Sequence, residues 1–281
     1  MKKTCIIAVL ALALCAAAYH ATRGKDAALP DLSALGNITV IAREEGSGTK
    51  DAFKALVVTD ERGANAIAAS TQQAIEMTAA DVNAIAYVAY GSLAGESGVR
   101  ALAADGVTPD GKSIASGKYP LVRPYLLAYK GELGDLAADF LTYIRGAGQA
   151  IVADFCTPIG KPTSFLSSKP AGRLTICGSS SAAPLVRRLA EGYCALNRSA
   201  EITVEASDST AGINSALRGD CDLAMSSRAL KDYEAELLQT EKIAVDGVAV
   251  IVNDGNPLKS LSVRRIRAIY DGNAASWPKL D

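Results

Sequence analysis

Three turns rich in glycine and serine carry the residue types that bind small anions. Residues 43–49 have the sequence REEGSGT, residues 178–181 are GSSS, and residues 208–212 are DSTAG. Unpaired N–H groups at a helix N-terminus favour an anion, small hydroxyls add donors, and glycine lets the backbone approach the ligand. Arg43 adds a planar fork of donors that suits a tetrahedral oxyanion. Together the turns predict a site for a small, dehydrated anion.

A single turn of this kind is more often an ordinary helix cap than a ligand site. The prediction depends on all three turns, because each follows an apolar strand and opens a helix. Ligands of open α/β sheets bind at such strand-to-helix junctions. The turns match neither the GxxxxGK[ST] nucleotide loop nor the GxSxG nucleophile elbow.

The rest of the chain alternates strand and helix patterns, which is typical of an α/β protein with largely parallel sheets. The length of 281 residues allows two lobes or one large domain. Residues 158–172, rich in Ser, Pro, Lys and Gly, form a linker by composition. Strands are predicted at 38–42, 84–90, 121–129, 174–177, 202–206, 223–225 and 247–253, and helices at 50–56, 133–145, 183–196, 211–218 and 263–270.

The composition argues against the common hydrolases. His20 is the only histidine and borders an N-terminal apolar run. The body therefore cannot form Ser-His-Asp or Cys-His catalytic sets, or histidine-based zinc and iron sites. The net charge of −1 argues against nucleic-acid binding. We predict a protein that is not an enzyme and uses no cofactor or metal.

Residues 1–21 have the pattern of an export signal. Lys2 and Lys3 precede an apolar run at 5–18 that is too short to span a membrane comfortably. Three outcomes are open: cleavage after the small residues 16–18, lipidation of Cys15 at a lipoprotein-like sequence, or an uncleaved anchor. Each places the body outside the cytoplasm, in the periplasm or on the cell surface.

Four cysteines remain in the body: Cys156, Cys177, Cys194 and Cys221. In an oxidising compartment they form two disulfides in one of three pairings, or they stay free as small apolar residues. Cys194 closes a predicted helix and Cys221 precedes a predicted strand, so this pair is plausible. No C-x-x-C spacing supports a metal or thioredoxin-type motif.

Segments along nearly the whole body resemble the phosphate-binding proteins of bacterial phosphate ABC transporters, the PstS-like family. Residues 38–53 are similar to its R-E-x-G-S-G-T-x-x-x-F segment, and residues 178–184 to its GSTS opening. Further similar segments are 84–90, 119–124 (YPLVRP), 209–213 with 222–228 (STAGI and DLAMSSR), 244–253 and 269–277. The resemblance implies an α/β, two-lobed fold of the periplasmic-binding-protein type II, with a ligand cleft between lobes that close about a hinge.

The order of the segments departs from that family, in which the GSTS half comes first. Here the GSGT half occupies 37–160 and the GSTS half 173–281. We interpret this order as a circular permutation, cut in the loop before the Arg43 strand, because exposed loops tolerate new termini when the old ones are bridged. A truncated or misassembled tandem copy is the alternative.

The resemblance also divides the chain into a signal, a tether, two lobes and a linker. Whether the lobes pair within one chain or exchange between two chains stays open. The hinge strands would lie near 118–123 and 250–253. The bounds are 22–36 for the tether, 37–118 plus 254–281 for lobe II, 119–160 plus 173–253 for lobe I, and 161–172 for the linker that joins the family's usual termini.

The same resemblance assigns phosphate-binding roles to eight residues. Arg43 is the charged clamp, and Ser227 stands where some family members carry an aspartate that accepts the proton of hydrogen phosphate. Asp208 is the substitute acceptor, with an ordinary helix cap as its alternative. Arg228 either orients the site or pairs with a carboxylate, with a surface ion pair as the default. The donors of hydroxyl or backbone hydrogen bonds are Ser47, Gly48, Thr49, Ser180, Ser181 and Ser209.

These assignments imply capture of inorganic phosphate for an ABC importer. The implied partners are permease subunits and, through a lipid or N-terminal anchor, a membrane. The alternative is a phosphate or oxyanion sensor, or a surface interaction module, that keeps the fold without transport. The sequence does not separate phosphate from sulfate or another oxyanion.

Overall fold

The computed structural model describes residues 29–280. The predicted signal 1–21, with His20 and the lipidation candidate Cys15, lies outside the described residues. Within residues 29–280, none of the helices has the length and apolar character needed to cross a membrane.

The described chain forms twelve strands and nine α-helices, with 3₁₀ turns at Tyr90–Leu93 and Trp277–Lys279. The strands are β1 Thr39–Arg43, β2 Ala66–Ala68, β3 Ala84–Ala89, β4 Val99–Ala101, β5 Ala103–Ala104, β6 Val122–Tyr129, β7 Thr157–Pro158, β8 Gly172–Ser179, β9 Ala200–Ser207, β10 Leu223–Ser226, β11 Gln239–Asn253 and β12 Ser260–Leu261. The helices are α1 Gly48–Val57, α2 Thr71–Ala80, α3 Gly111–Ala115, α4 Asp135–Arg145, α5 Gln149–Phe155, α6 Ala183–Leu196, α7 Ser209–Arg218, α8 Asp232–Ala235 and α9 Val263–Tyr270.

Most of the strands belong to one mixed sheet, with the order β2-β1-β3-β11-β6-β10-β8-β9. Its two ends are parallel: β1 pairs with β2 and β3, and β8 pairs with β9 and β10. Its centre is antiparallel, because β11 runs against both β3 and β6, and β6 runs against β10. The expectation of largely parallel sheets is therefore wrong for the centre of the sheet, where the antiparallel strands β6 and β11 join the two parallel ends.

Strand β11 is longer than the sequence pattern predicts. The apolar run at 247–253 predicts only its second part, whereas the strand begins at Gln239. The first residues are largely exposed and polar, and they are held by backbone pairing with β6 rather than by side-chain burial. Hydrophobic patterning cannot detect a strand segment of this kind.

Two large apolar clusters pack on this sheet. The terminal core draws on residues near both chain ends, and the central core on residues 125–244 together with Ala89. Strand β11 contributes Val248, Val250 and Val252 to the terminal core and Ile243 and Ala244 to the central core. It therefore links the two halves of the molecule. Below, the halves are the part built on the terminal core, which carries Arg43, and the part built on the central core, which carries Ser181.

The two ends of the described chain meet in the terminal core. The Trp277 N–H donates to the carbonyl of Gly36 at 3.1 Å, and the buried Trp277 indole donates to the carbonyl of Asn83 at 2.9 Å. Leu32 and Leu280 pack in the same cluster.

The linker predicted at 161–172 has no helix or strand before β8 begins at Gly172. It is packed against the central core by Phe165, which contacts the rings of Tyr143 and Tyr193. The Asn197 amide donates to the Pro170 carbonyl at 2.9 Å. The division of the chain into lobes at the predicted bounds stays a prediction.

One disulfide joins Cys177 at the end of β8 to Cys221 just before β10, while Cys156 and Cys194 are free. The Cys194–Cys221 pair considered from the sequence is therefore wrong. Parallel pairing of β8 with β10 brings Cys177 beside the β10 entrance, whereas the Cys194 thiol faces the Ala200 carbonyl.

Removal of this disulfide has a calculable effect on stability. The bridge closes a loop with a sequence separation of 44. In the chain-entropy model, such a loop restricts the unfolded chain by about 4 kcal/mol. We expect Cys177→Ala/Cys221→Ala to lower the free energy of unfolding by roughly that amount in a urea titration. Cys194→Ala is the control, with an expected change of about 1 kcal/mol or less; equal stability of the two variants would contradict the prediction.

Candidate functional site

Three helix N-termini meet at one small cavity between the two halves. Helices α1, α6 and α7 follow strands β1, β8 and β9. The starts of α1 and α7 and the turn just before α6 line a narrow cavity. All nine residues predicted from the sequence line it, together with Glu44 and Ser179: Arg43, Ser47, Gly48, Thr49, Ser180, Ser181, Asp208, Ser209 and Ser227. The structure thus brings the predicted residues together, and their roles toward a ligand stay a prediction.

The N-caps of two helices at the cavity are a serine hydroxyl and an aspartate carboxylate. Ser47 is the N-cap of α1, and its hydroxyl oxygen accepts from the Lys50 N–H at 3.4 Å. Asp208 is the N-cap of α7, and its Oδ1 accepts from the Ala211 N–H at 2.7 Å. An oxygen that accepts the cap bond leaves the Ser47 hydrogen free to donate. The first-turn N–H groups of each helix add further donors.

Arg43 is buried at 2% exposure and lies against a carboxylate. Its Nε and Nη2 donate to the two Glu44 oxygens at 2.7 and 2.8 Å, which is a bidentate pair. Nη1 donates to Thr71 Oγ1 at 3.0 Å, and Nη2 also reaches Ser180 Oγ at 3.2 Å. The guanidinium is therefore fixed on three sides, with Ser180 on the opposite half of the molecule.

Hydroxyl groups from both halves hydrogen-bond to one another across the cavity. Thr49 donates to Ser181 Oγ at 3.3 Å, and Ser181 lies 3.0 Å from Ser179 Oγ. Within the half that carries Ser181, the hydroxyl oxygens of Ser209 and Ser227 lie 3.4 Å apart. The site is thus a compact set of hydrogen-bond donors to which both halves contribute.

Gly48 packs directly against the facing half. A Cβ at this position would collide with Ser209 Oγ and would lie 2.6 Å from Ser227 Oγ. Across the same boundary, the Thr210 N–H donates to the Gly46 carbonyl at 3.2 Å. The GSGT turn therefore needs glycine because serines of the other half pack directly on its backbone.

Besides Ser179, three residues at or beneath the site are given no role by the sequence analysis. Glu44 pairs with Arg43, as described above. Arg123, at the start of β6, donates to Thr49 Oγ1 at 2.7 Å and pairs with Asp246 of β11 at 3.0 Å. Arg123 belongs to the YPLVRP segment and Asp246 to the 244–253 segment, but nothing in a linear sequence shows that these strands place them under the turns.

Arg228 is buried and forms ion pairs in two directions. Its guanidinium bonds to both Glu234 oxygens at 2.7 and 2.9 Å, and its Nε lies 2.9 Å from Asp51 of α1, on the other half. Of the two roles considered for Arg228, the ion pair is present, but it is buried rather than on the surface. The contact with Asp51 adds an ion pair between the two halves, next to the cavity.

A buried carboxyl group lies behind the Arg43 backbone. Glu61 is 7% exposed, and the Arg43 N–H donates to the Tyr87 hydroxyl at 3.1 Å. Burial raises the pKa of Glu61, and the neighbouring Tyr87 hydroxyl opposes this rise only in part. Burial also raises the pKa of Tyr87 well above its ordinary value, with the Glu61 charge adding to the effect.

The raised pKa of Glu61 predicts a pH dependence of stability. The folded state holds this proton more tightly than the unfolded state, so stability falls as pH rises from the ordinary pKa of 4.5 through the raised one. We expect Glu61→Gln to stabilise the protein relative to wild type more at about pH 8 than at about pH 5 in urea titrations. Glu191→Gln, at an exposed ion pair with Arg188, is the control. An equal effect of Glu61→Gln at both pH values would contradict the prediction.

Comparisons with known proteins agree on one family. The model of the PBP superfamily domain matches residues 17–146 and 163–281. Two curated proteins named phosphate-binding protein PstS 2 are similar over most of their length. The one from Streptococcus pneumoniae is 32% identical over 270 residues, which cover 92% of each chain, and the one from Streptococcus agalactiae is 33% identical over 263 residues, which cover 88% of this chain and 89% of its own.

A solved structure is similar as well. The phosphate-binding protein of a phosphate ABC transporter from Streptococcus pneumoniae superposes with a TM-score of 0.71 at 32% identity, covering 88% of this chain and all of its own. This match confirms the α/β, two-lobed type II fold that the resemblance predicts. The chain therefore belongs to the PBP superfamily and, within it, to the family of the phosphate-binding proteins called PstS.

Proposed function

We propose that this protein captures inorganic phosphate outside the cytoplasm and delivers it to the permease of an ABC importer. The observation that carries the proposal is the cavity at which Arg43, three helix N-termini and hydroxyls from both halves converge. Such a set of fixed donors suits a tetrahedral anion stripped of water. The names of the streptococcal relatives, phosphate-binding protein and phosphate ABC transporter component, support the same ligand.

Phosphate would be bound by residues from both halves. Arg43, Ser47, Gly48 and Thr49 approach it from one side, and Ser180, Ser181, Ser209 and Ser227 from the other. Contacts from two sides favour the closed arrangement, because a ligand that touches both halves stabilises their closure. Release would then require the halves to separate about β6 and β11, the strands that join them.

The location outside the cytoplasm has support from the fold. The Cys177–Cys221 disulfide is typical of proteins that mature in an oxidising compartment. Signal cleavage, lipidation of Cys15 and a membrane anchor belong to this proposal. The relatives are named as binding proteins, which supports capture without chemical change of the ligand.

We also infer that the order of the two halves is a circular permutation rather than a truncated tandem copy, and that the lobes have the predicted bounds. The alignment with the pneumococcal protein runs through 92% of both chains, which supports a shared order of segments rather than a truncated tandem copy. The two cores support the division into lobes, because they draw on different parts of the chain.

A direct titration tests the ligand. The purified protein is titrated with phosphate and, separately, with sulfate, by calorimetry and by thermal unfolding. We expect saturable binding of phosphate and an upward shift of Tm that follows the free ligand concentration. No heat and no shift at millimolar phosphate would contradict the proposed function.

Asp208 is the proposed acceptor for the proton of hydrogen phosphate. Its carboxylate lines the cavity beside Gly46, where a Cβ would lie 2.5 Å from Oδ1 and 3.3 Å from Oδ2. Oδ1 accepts the cap bond from Ala211, which leaves Oδ2 available to accept the proton of the ligand. Ser227, at the position of the family's aspartate, then serves as a hydroxyl donor.

The variant Asp208→Asn separates the two roles of this residue. Asparagine caps a helix about as well as aspartate, so α7 is retained, but the negative charge is lost. We expect the phosphate-over-sulfate preference to fall about tenfold or more, because sulfate is no longer repelled and hydrogen phosphate loses its acceptor. Parallel titrations with both anions measure this ratio; an unchanged ratio would leave Asp208 as a helix cap alone.

A further inference from the structure

An ion pair joins the two halves beside the cavity but outside it. Arg228, in the turn after β10, belongs to the Ser181 half, and Asp51 lies in the first turn of α1 on the Arg43 half. Arg228 Nε lies 2.9 Å from Asp51 Oδ2. Within the described residues, neither of the two side chains lines the cavity. Any effect of the pair on a ligand must therefore act through the separation of the halves.

Arg228 is held in position by its own half. Nη1 donates to Glu234 Oε2 at 2.7 Å and to the Ala229 carbonyl at 2.9 Å. Nη2 donates to Glu234 Oε1 at 2.9 Å and to Thr210 Oγ1 at 3.3 Å. Nε is also buried and, in the described part of the chain, has no hydrogen-bond partner on its own half. The guanidinium is therefore fixed before the halves meet, with Nε left for a carboxylate of the facing half.

Asp51 is attached to the wall of the cavity through α1. Its N–H donates to the Ser47 carbonyl at 3.0 Å, in the same first turn that places Thr49 at the cavity. A displacement that takes Thr49 away from the facing half therefore also takes Asp51 away from Arg228. The pair forms when the halves close and breaks when they separate.

Polar contacts hold this side of the boundary closed. Thr210 Oγ1 accepts from Arg228, and the Thr210 N–H donates to the Gly46 carbonyl of the facing half at 3.2 Å. Beside the pair, a groove lined by Ala52 and Leu56 separates α1 from β6. Because the groove leaves these apolar side chains without tight packing, the ion pair and the Thr210 bond carry the closure here.

We propose that the Asp51–Arg228 pair is a closure contact that sets how long phosphate stays bound. The proposal rests on the proposed function. The pair is present only when the halves are together, so it stabilises the closed form alone. Bound phosphate leaves after the halves separate, whereas free phosphate enters the separated form, in which the pair is not made. Loss of the pair should therefore raise the dissociation rate and leave the association rate nearly unchanged.

The exposure of Asp51 predicts that salt weakens the pair. The Asp51 side chain is 34% exposed, against 5% for Arg228, so dissolved ions reach the carboxylate. The screening length falls from about 30 Å at 0.01 M salt to about 3 Å at 1 M. The effect of removing the pair should thus be largest at low salt. A comparison of each variant with wild type at the same salt concentration cancels the effect of salt on phosphate itself.

Three variants separate the pair from other roles of its residues. Asp51→Asn removes the charge with little change in size, and Asp51→Glu retains the charge. Asp135→Asn is the matched control, because Asp135 also lies in the first turn of a helix, α4, and its loss removes the same favourable interaction with a helix N-terminus. Helix α4 packs in the central core of the Ser181 half.

The experiment measures the rate of phosphate dissociation. Each protein is loaded with radiolabelled inorganic phosphate and mixed rapidly with an excess of unlabelled phosphate, and a separate titration gives Kd. At about 0.01 M salt we expect Asp51→Asn to release phosphate about fivefold faster than wild type. At about 1 M salt the difference should fall to about twofold or less. Asp51→Glu and Asp135→Asn should stay within about twofold of wild type under both conditions.

Two results would overturn the proposal. Release of phosphate from Asp51→Asn at the wild-type rate in low salt would show that the pair does not hold the halves together. A faster release that persists unchanged in high salt, or that Asp135→Asn reproduces, would show that the charge pair is not its cause. Failure of wild type to bind phosphate would contradict the proposed function, and this proposal with it.

Discussion

Arg43→Met should reduce phosphate affinity more than any other single change at the site. The variant removes a guanidinium that is 2% exposed and whose donors reach Ser180 across the cleft. It also leaves the Glu44 carboxylate, otherwise bonded by Nε and Nη2, as an uncompensated negative charge beside an anion. Truncation of one partner in a hydrogen-bonded charge pair costs about 2–5 kcal/mol of binding, a loss of roughly 30- to 5000-fold. Calorimetric titration with phosphate measures this loss.

Two further variants show how much of that loss comes from Glu44 and how much comes from removing any guanidinium. Arg43→Met/Glu44→Gln removes the unpaired carboxylate as well, so it should recover part of the affinity, and the recovered part measures the repulsion by Glu44. Arg173→Met removes a guanidinium from an exposed ion pair with Glu201 and should leave the affinity unchanged. Phosphate binding by Arg43→Met at wild-type strength would show that the anion does not occupy this cavity.

Gly48→Ala should weaken phosphate capture by steric means while each half keeps its own core. The added Cβ would collide with Ser209 Oγ and would lie 2.6 Å from Ser227 Oγ, both buried on the facing half. The halves must then stay apart, and the ligand loses the donors of one side. We expect a loss of about a hundredfold, because two hydrogen bonds to a charged ligand are lost together.

The matched control for this variant is Gly111→Ala. Gly111 also stands at the first position of a helix, α3, but a Cβ there meets nothing within 4 Å. Phosphate titration of both variants, with unfolding curves of the free proteins, separates loss of closure from loss of folding. Wild-type affinity in Gly48→Ala would show that the halves need not approach each other as closely as in this structure.

The location of the site could be predicted from the sequence because the residues that form it lie within three short turns. Each turn follows an apolar strand and opens a helix, and the carboxyl ends of strands in an α/β sheet are where ligands bind. Helices 183–196 and 263–270 have the predicted bounds for a related reason, since their apolar spacing is regular. Helix α2 was missed: its short run Thr71–Ala80 depends on the Ser70 cap and on burial against the sheet.

The charged layer beneath the site could not be predicted in the same way. Arg123 and Asp246 are 123 residues apart, and they meet only because β6 and β11 pair in one antiparallel register. The disulfide partner of Cys221 depends likewise on which strands are neighbours in the sheet. Pairing between distant strands is a property of the assembled sheet, so local patterns do not reveal it.

The distribution of the two cores along the chain has a consequence for the order of folding. Apart from Ala89, the central core uses one continuous stretch, 125–244, so it can form as soon as that stretch has emerged from the synthesis or export machinery. The terminal core also needs Trp277 and Leu280, which emerge after that stretch. The Arg43 half begins before that stretch in the sequence. Its interior can nevertheless close only after Trp277 and Leu280 are available. During that interval its apolar strands are exposed to aggregation or to chaperones, and the half with Ser181 is the first to become native.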